Sequence, residues 1–195
     1  MNTELRRQLL DMVEEDQRVR TALATTGELF QGYEPRMEEV HRRNAQELEA
    51  MIEQYGWLGK SLVGEDGANA AWLVLQHAIS HPTLQRRCLP ILQDAVARGE
   101  AEPAHAAYLE DRIRFFERRP QRYGTHFDWD ESGQMNPYLI EDPHRVDEYR
   151  LSVGLSSLAE RIEEVRKNPV EESRPSDLKK RETEMRAWAK SVGWL

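Results

Sequence analysis

Gln76 and His77 interrupt the most apolar stretch of the chain, Ala68 to Ile79 (ANAAWLVLQHAI). Burying unpaired polar groups costs on the order of 1–3 kcal/mol. Either neighbouring backbone and side chains satisfy the pair, with His77 a core histidine, or the pair faces a pocket. In a pocket, His77 is a general acid or base, because an imidazole titrates near neutrality. A second set lies further on. Tyr108 and Arg112 are spaced i, i+4 and share one side of a helix. Arg112 and Asp111 either make an internal ion pair tying that helix to Gln121 or the following hairpin, or Arg112 grips a carboxylate or phosphate. Gln121, Tyr123, Thr125 and His126 cluster around Gly124, which permits a backbone shape or close approach that a side chain would forbid. Here the choice is between a turn that satisfies buried backbone groups and a site held on a loop.

Metal and phosphate chemistry find little support. His77 and His81 are also i, i+4, but Pro82 puts His81 at or past the helix end. There is no HExxH arrangement, no GxSxG elbow and no Gly-rich loop with a lysine of the Walker type. Cys88 sits in an amphipathic segment and reads as packed. No metal and no cofactor are expected.

The elements that must position these residues are helical. Leu5, Leu9, Met12, Val13, Val19 and Leu23 predict a first helix, ended by Thr25-Thr26-Gly27. Glu34-Pro35 opens a second, carrying Met37, Val40, Leu48, Met51 and Ile52 and stopped by Gly56. Trp57 to Gly67 reads as a glycine-punctuated loop, with Asp66 available to cap the apolar helix that follows. Another helix runs from Pro82 to Arg98, where Pro90 should kink or divide it. Ala104 to Glu117 is the helix of Tyr108 and Arg112. Tyr123 to Trp129 and Tyr138 to Ile140 then predict a β-hairpin around Asp130–Gly133. A short helix follows Asp142-Pro143, and Ser157 with Glu160 forms a capping box for Leu158–Lys167. The expected class is mainly α: a multi-helix single domain around a buried central helix, with a small hairpin near 122–141 and a C-terminal helix. The organisation read is a helical domain over 1–167, a linker at 168–175 and the helix at 176–195. The stripe Met185, Trp188, Val192 on that last helix packs back on the domain or on a second copy, as a homodimer.

The segments Lys60–Ala78 (KSLVGEDGANAAWLVLQHA), Leu89–Glu100 (LPILQDAVARGE), Ala107–Ile113 (AYLEDRI), Pro120–Thr125 (PQRYGT) and Ile140–Leu158 (IEDPHRVDEYRLSVGLSSL) occur in order. Together they resemble a bacterial family known only as domain of unknown function six-six-two-four, over about Tyr55 to Leu158. The resemblance implies a compact helical domain and no reaction. The family commonly carries an amide where this chain has His126, and an acid where it has Ile79.

Composition bounds the partners. The chain has 195 residues, 39% hydrophobic and 32% charged, with a net charge of −8. Its acidity disfavours nucleic acid, and no apolar run spans a membrane. The local basic run Arg112–Arg122 reads as a solvated helix end. The first residues, MNTELRRQLLDMVEEDQ, lack the apolar run of a secretion signal, and a single cysteine agrees with a reducing compartment. A cytoplasmic location is expected. Two functions follow. One is a small-molecule-binding protein or metal-independent acid–base enzyme for a small polar or anionic substrate. There His77 and His126 are the ionisable groups, Arg112 is the anchor, and Gln76, Tyr108, Gln121, Tyr123 and Thr125 are ligand contacts. The other is a non-catalytic protein-interaction module using the Trp188–Trp194 segment.

Overall fold

The computed structural model describes residues 1–30, 33–130, 132–167 and 177–195. The chain is mainly α, with a two-stranded antiparallel hairpin and a C-terminal helix. It divides into two compact units, Met1–Ala106 and Ala107–Leu195.

Unit 1 is helical. α1 (Thr3–Thr26) begins at Asn2, whose side chain accepts from the Leu5 amide, and ends on Gly27 in the left-handed conformation. Leu5, Leu9, Met12 and Leu23 form its buried stripe. Each such side chain contributes about 1.5–3 kcal/mol by leaving water. Glu34 caps α2 (Pro35–Tyr55) by accepting from the Arg36 and Met37 amides. α3 (Lys60–His77) starts seven residues before Gly67, inside the stretch expected to be a loop. Gly64 explains the difference: at φ +78 it absorbs a break within the helix, so the turns before and after it are both helical. Asp66 accepts from the Gly67 amide and pairs with Arg6 of α1. α4 (Pro82–Ala97) runs through Pro90 undivided. α1 packs on both α2 and α3, and α2 packs on α3. Leu48, Leu58, Val63, Leu75 and Leu92 are fully buried in this unit.

α5 (Pro103–Phe116) crosses the boundary between the units. In unit 2, β1 (Phe127–Trp129) pairs with β2 (Met135–Pro137) in the register Phe127–Pro137 and Trp129–Met135. The second strand lies three residues earlier than the expected Tyr138–Ile140. That segment is instead drawn to the start of the turn, where Gln121 bridges to Ile140. α6 (Val146–Ser152) and α7 (Leu158–Lys167) follow. The capping box of α7 forms: the Ser157 amide donates to Glu160 and the Glu160 amide to Ser157 Oγ. The expected linker at 168–175 lies outside the described residues. α8 (Leu178–Val192) is capped by Asp177 and packs within unit 2. Phe116 meets Trp188 at 5.6 Å and stacks on Trp194 at 5.2 Å between ring centroids, and Arg118 pairs with Glu182.

Candidate functional site

The site is built on α1, α2 and the last residue of α3. Asp16 stands on the buried stripe of α1, one turn beyond Met12, and is 3% exposed. His77 Nδ1 lies 2.7 Å from Asp16 Oδ2, across 61 residues of sequence. His41 of α2 places Nε2 3.0 Å from the same oxygen. That nitrogen is buried and has no hydrogen-bond partner besides this contact. The imidazole centroids of His41 and His77 are 4.9 Å apart. Tyr33 Oη sits 2.8 Å from His41 Nδ1. Gln17 donates to the other Asp16 oxygen at 3.3 Å.

One carboxylate thus faces two imidazoles from two other helices. Burial works to raise the Asp16 carboxyl. Its contacts with His41 and His77, and their charge when protonated, overcome that and hold it below the usual carboxylate range. Side-chain exposure is 4% for Asp16, 11% for His41 and 24% for His77, so the cluster opens to solvent on the His77 side. The end of α3 is fixed from outside. Gln85 of α4, fully buried, donates from Nε2 to the carbonyls of Leu75 at 2.7 Å and Gln76 at 3.3 Å. His81 falls past the helix end, at the start of α4, as Pro82 implies. Among the described residues, Asp16, His41 and His77 are a group whose donor atoms all lie within 4.8 Å of one another.

The remaining expected site residues lie in unit 2, around an aspartate the sequence reading did not place in the site. Asp111 is fully buried on α5. It accepts from the backbone amides of Arg122 (2.7 Å), Tyr123 (3.1 Å) and Thr125 (3.0 Å) and from Thr125 Oγ1 (3.1 Å). Burial pushes its carboxyl up, and those four donors oppose the rise. Gln121 makes the next layer: its Oε1 accepts from the His126 amide, and its Nε2 donates to the His126 and Tyr138 carbonyls. Arg150, 2% exposed, donates to the carbonyls of Ser156 and Tyr123. Gly124 adopts φ +62 where a Cβ would meet Ile140 at 2.9 Å and Leu158 at 3.0 Å. His126 stacks on Phe115 at 4.8 Å. The chain packed around it, and then the Arg112 charge, push its imidazole well below 6.5. Tyr108 and Arg112 share the helix of Asp111, each half-buried.

Gln76 and His77 belong to unit 1; Tyr108, Arg112, Gln121, Tyr123, Thr125 and His126 belong to unit 2. Gln121 and Thr125 use their side chains, and Tyr123 its backbone, to hold the turn. Of the expected residues, His77 meets other ionisable groups in an open-edged cluster. Its partners Asp16 and His41 were missed. Their signal is a polar residue standing on an apolar stripe: Asp16 in Leu5, Leu9, Met12, Asp16, and His41 in Met37, His41, Leu48.

No helix among the described residues is long and apolar enough to cross a membrane. A family model described as a family of unknown function (DUF6624) matches residues 3–168. No curated protein and no solved structure matches.

Proposed function

The chain belongs to the family of unknown function DUF6624, and from that premise we propose that unit 1 carries a small-molecule site centred on Asp16, His41 and His77. The molecule is small and polar or anionic, and the chemistry at the cluster is acid–base. The carrying observation is the convergence of two imidazoles from α2 and α3 on one buried carboxylate oxygen of α1. Catalytic acids and bases are arranged by such burial and pairing. The imidazole on the open side offers a hydrogen-bonding edge that suits an anion or a polar group. Unit 2 supports this reading by contrast. Its expected ligand contacts are engaged, Gln121 with backbone and Thr125 with the Asp111 carboxylate, and Trp188 of α8 packs on Phe116. We place the protein in the bacterial cytoplasm, supported by a lone buried thiol, Cys88, that burial pushes up to about 11.

Thermal-shift screening of the full chain against small carboxylates and phosphates tests the reading, since a specific binder raises apparent stability by mass action. A binder is expected whose effect disappears in His77→Asn and in Asp16→Asn. A binder retained by His77→Asn and lost by Arg112→Ala would move the site to unit 2 and sink the proposal.

A further inference from the structure

We propose that Asp16, His41 and His77 form a centre for a divalent transition cation of the zinc class. This goes beyond the reading of the cluster as a small-molecule site and does not depend on any substrate.

The donor set comes first. Two imidazole nitrogens and one carboxylate oxygen are the ligands that Zn²⁺ and its neighbours take, whereas Mg²⁺ and Ca²⁺ prefer oxygen throughout. Three protein ligands leave further coordination positions open, the arrangement of catalytic rather than structural sites. The geometry fits. Ligands at about 2.0–2.2 Å from one ion stand roughly 3–3.5 Å apart. Here the two imidazole nitrogens stand 2.7 and 3.0 Å from Asp16 Oδ2, a hydrogen-bond spacing that opens by a few tenths of an ångström to admit the ion, and all three donor atoms lie within 4.8 Å.

The group behind His41 shows how its Nε2 can be presented as a ligand. Tyr33 Oη lies 2.8 Å from its Nδ1, a contact compatible with either tautomer. If Nε2 carries the proton, the buried N–H faces Asp16 Oδ2 at 3.0 Å and pairs with it. If Nδ1 carries it and donates to Tyr33, the Nε2 lone pair faces a carboxylate oxygen at 3.0 Å. Two electron-rich atoms at that distance in a buried place repel each other, and either a proton on Nε2 or a cation bound to both relieves the repulsion. A metal ion bound to both removes the difficulty. Tyr33 then acts as a positioning residue, holding the ring so that Nε2 is the ligand, as partners behind metal-bound histidines do. The three ligands stand on helices packed pairwise against one another, so the set is assembled by the fold of unit 1 alone.

The site was outside the reach of a search for short-range metal motifs. Its ligands are spread from position 16 to position 77, and the one helical pair of histidines, His77 and His81, is divided by the end of α3.

Full-length protein stripped with a chelator and titrated with Zn²⁺ alone by calorimetry tests the proposal. One equivalent is expected to bind with micromolar or tighter affinity, and Mg²⁺ is not expected to compete. Co²⁺ should give a visible d–d absorption band. In imidazole ¹⁵N–¹H spectra, Zn²⁺ should shift His41 and His77 while leaving His81, His105, His126 and His144 unmoved. Asp16→Asn and His41→Gln should each weaken binding at least tenfold, with folding checked by circular dichroism, and His81→Gln should leave it unchanged. Tyr33→Phe should weaken it by roughly 10–100-fold. Wild-type protein that takes up no stoichiometric Zn²⁺, or Zn²⁺ that shifts other histidines and survives both ligand variants, overturns the proposal. A failed ligand screen with intact Zn²⁺ binding overturns the small-molecule reading instead, so the two fail separately.

Discussion

Each unit of the molecule buries one aspartate, and the two are satisfied in opposite ways. Asp111 in unit 2 accepts from four donors, three backbone amides and one hydroxyl, all within residues 122–125. Its partners cannot change charge at any ordinary pH, and its work is to fix a turn. Asp16 in unit 1 faces two imidazoles delivered by separate helices. Its partners can gain or lose protons or take a metal, and one of them reaches solvent. Burial alone does not distinguish the two carboxylates, which are 0% and 3% exposed. The nature of the donors does. A carboxylate wrapped in amides is an anchor, whereas one shared between ionisable side chains is a place where charge can move.

The largest expected effect tests the anchor. Asp111→Ala removes the acceptor of four buried donors and should cost about 3 kcal/mol or more of unfolding free energy, read from urea denaturation. A cost below about 1 kcal/mol would mean that water or neighbours replace the carboxylate and that the turn does not depend on it. Next comes Gly124→Ala. The added methyl must adopt a positive φ and press on Ile140 and Leu158. A loss of about 2 kcal/mol is expected by the same measurement. If Gly124→Ala is neutral, the turn is looser than the Asp111 and Gln121 hydrogen bonds require.

Asp16→Asn should be the milder change in stability, below about 1 kcal/mol. One amide oxygen still accepts from an imidazole, and residues placed for function tend not to be placed for stability. Equal costs for Asp16→Asn and Asp111→Asn, measured side by side, would break the comparison between the two aspartates. The smallest effect concerns pH. His105 stacks on Trp72 at 4.1 Å, and burial holds its imidazole down to about 4 from an ordinary 6.5. As pH falls below about 6.5, the unfolded chain takes a proton there that the folded chain refuses until about 4. Stability contributed by the neutral ring therefore declines across that window. His105→Phe keeps the stack and removes the titration. Its urea midpoint should fall less steeply between those pH values than that of the wild type. Parallel curves would show that other histidines carry the pH dependence.

Much of the fold was legible. The helices of unit 1 follow from apolar spacing and from stop signals that the structure uses, Gly27 and Gly56 among them. The capping box at Ser157 and the hairpin were also readable, the latter with its second strand misplaced. What misled was Gly64: a glycine that lets a helix continue through a break looks, in sequence, like a glycine that ends one. The site was half legible. His77 stood out because everything around it is apolar. Asp16 did not, because its neighbours Glu14, Glu15 and Gln17 are polar too, and only its alignment with Leu5, Leu9 and Met12 marks it as inward-facing. The turn at 121–126 drew attention for good physical reasons. However, Gln121 satisfies backbone and Thr125 donates to Asp111, purposes that residue types alone cannot separate from ligand binding.

Gln85 carries a last consequence. By binding the Leu75 and Gln76 carbonyls, it makes the position of His77 a property of α4 as much as of α3. Occupancy of the cluster and docking of α4 are therefore thermodynamically linked. Whatever tightens on His77 should slow hydrogen exchange at the α4 amides, and loosening α4 through Gln85→Ala should weaken binding at a centre that Gln85 never touches. The end of α3 is a lever arm whose far grip is a neutral amide.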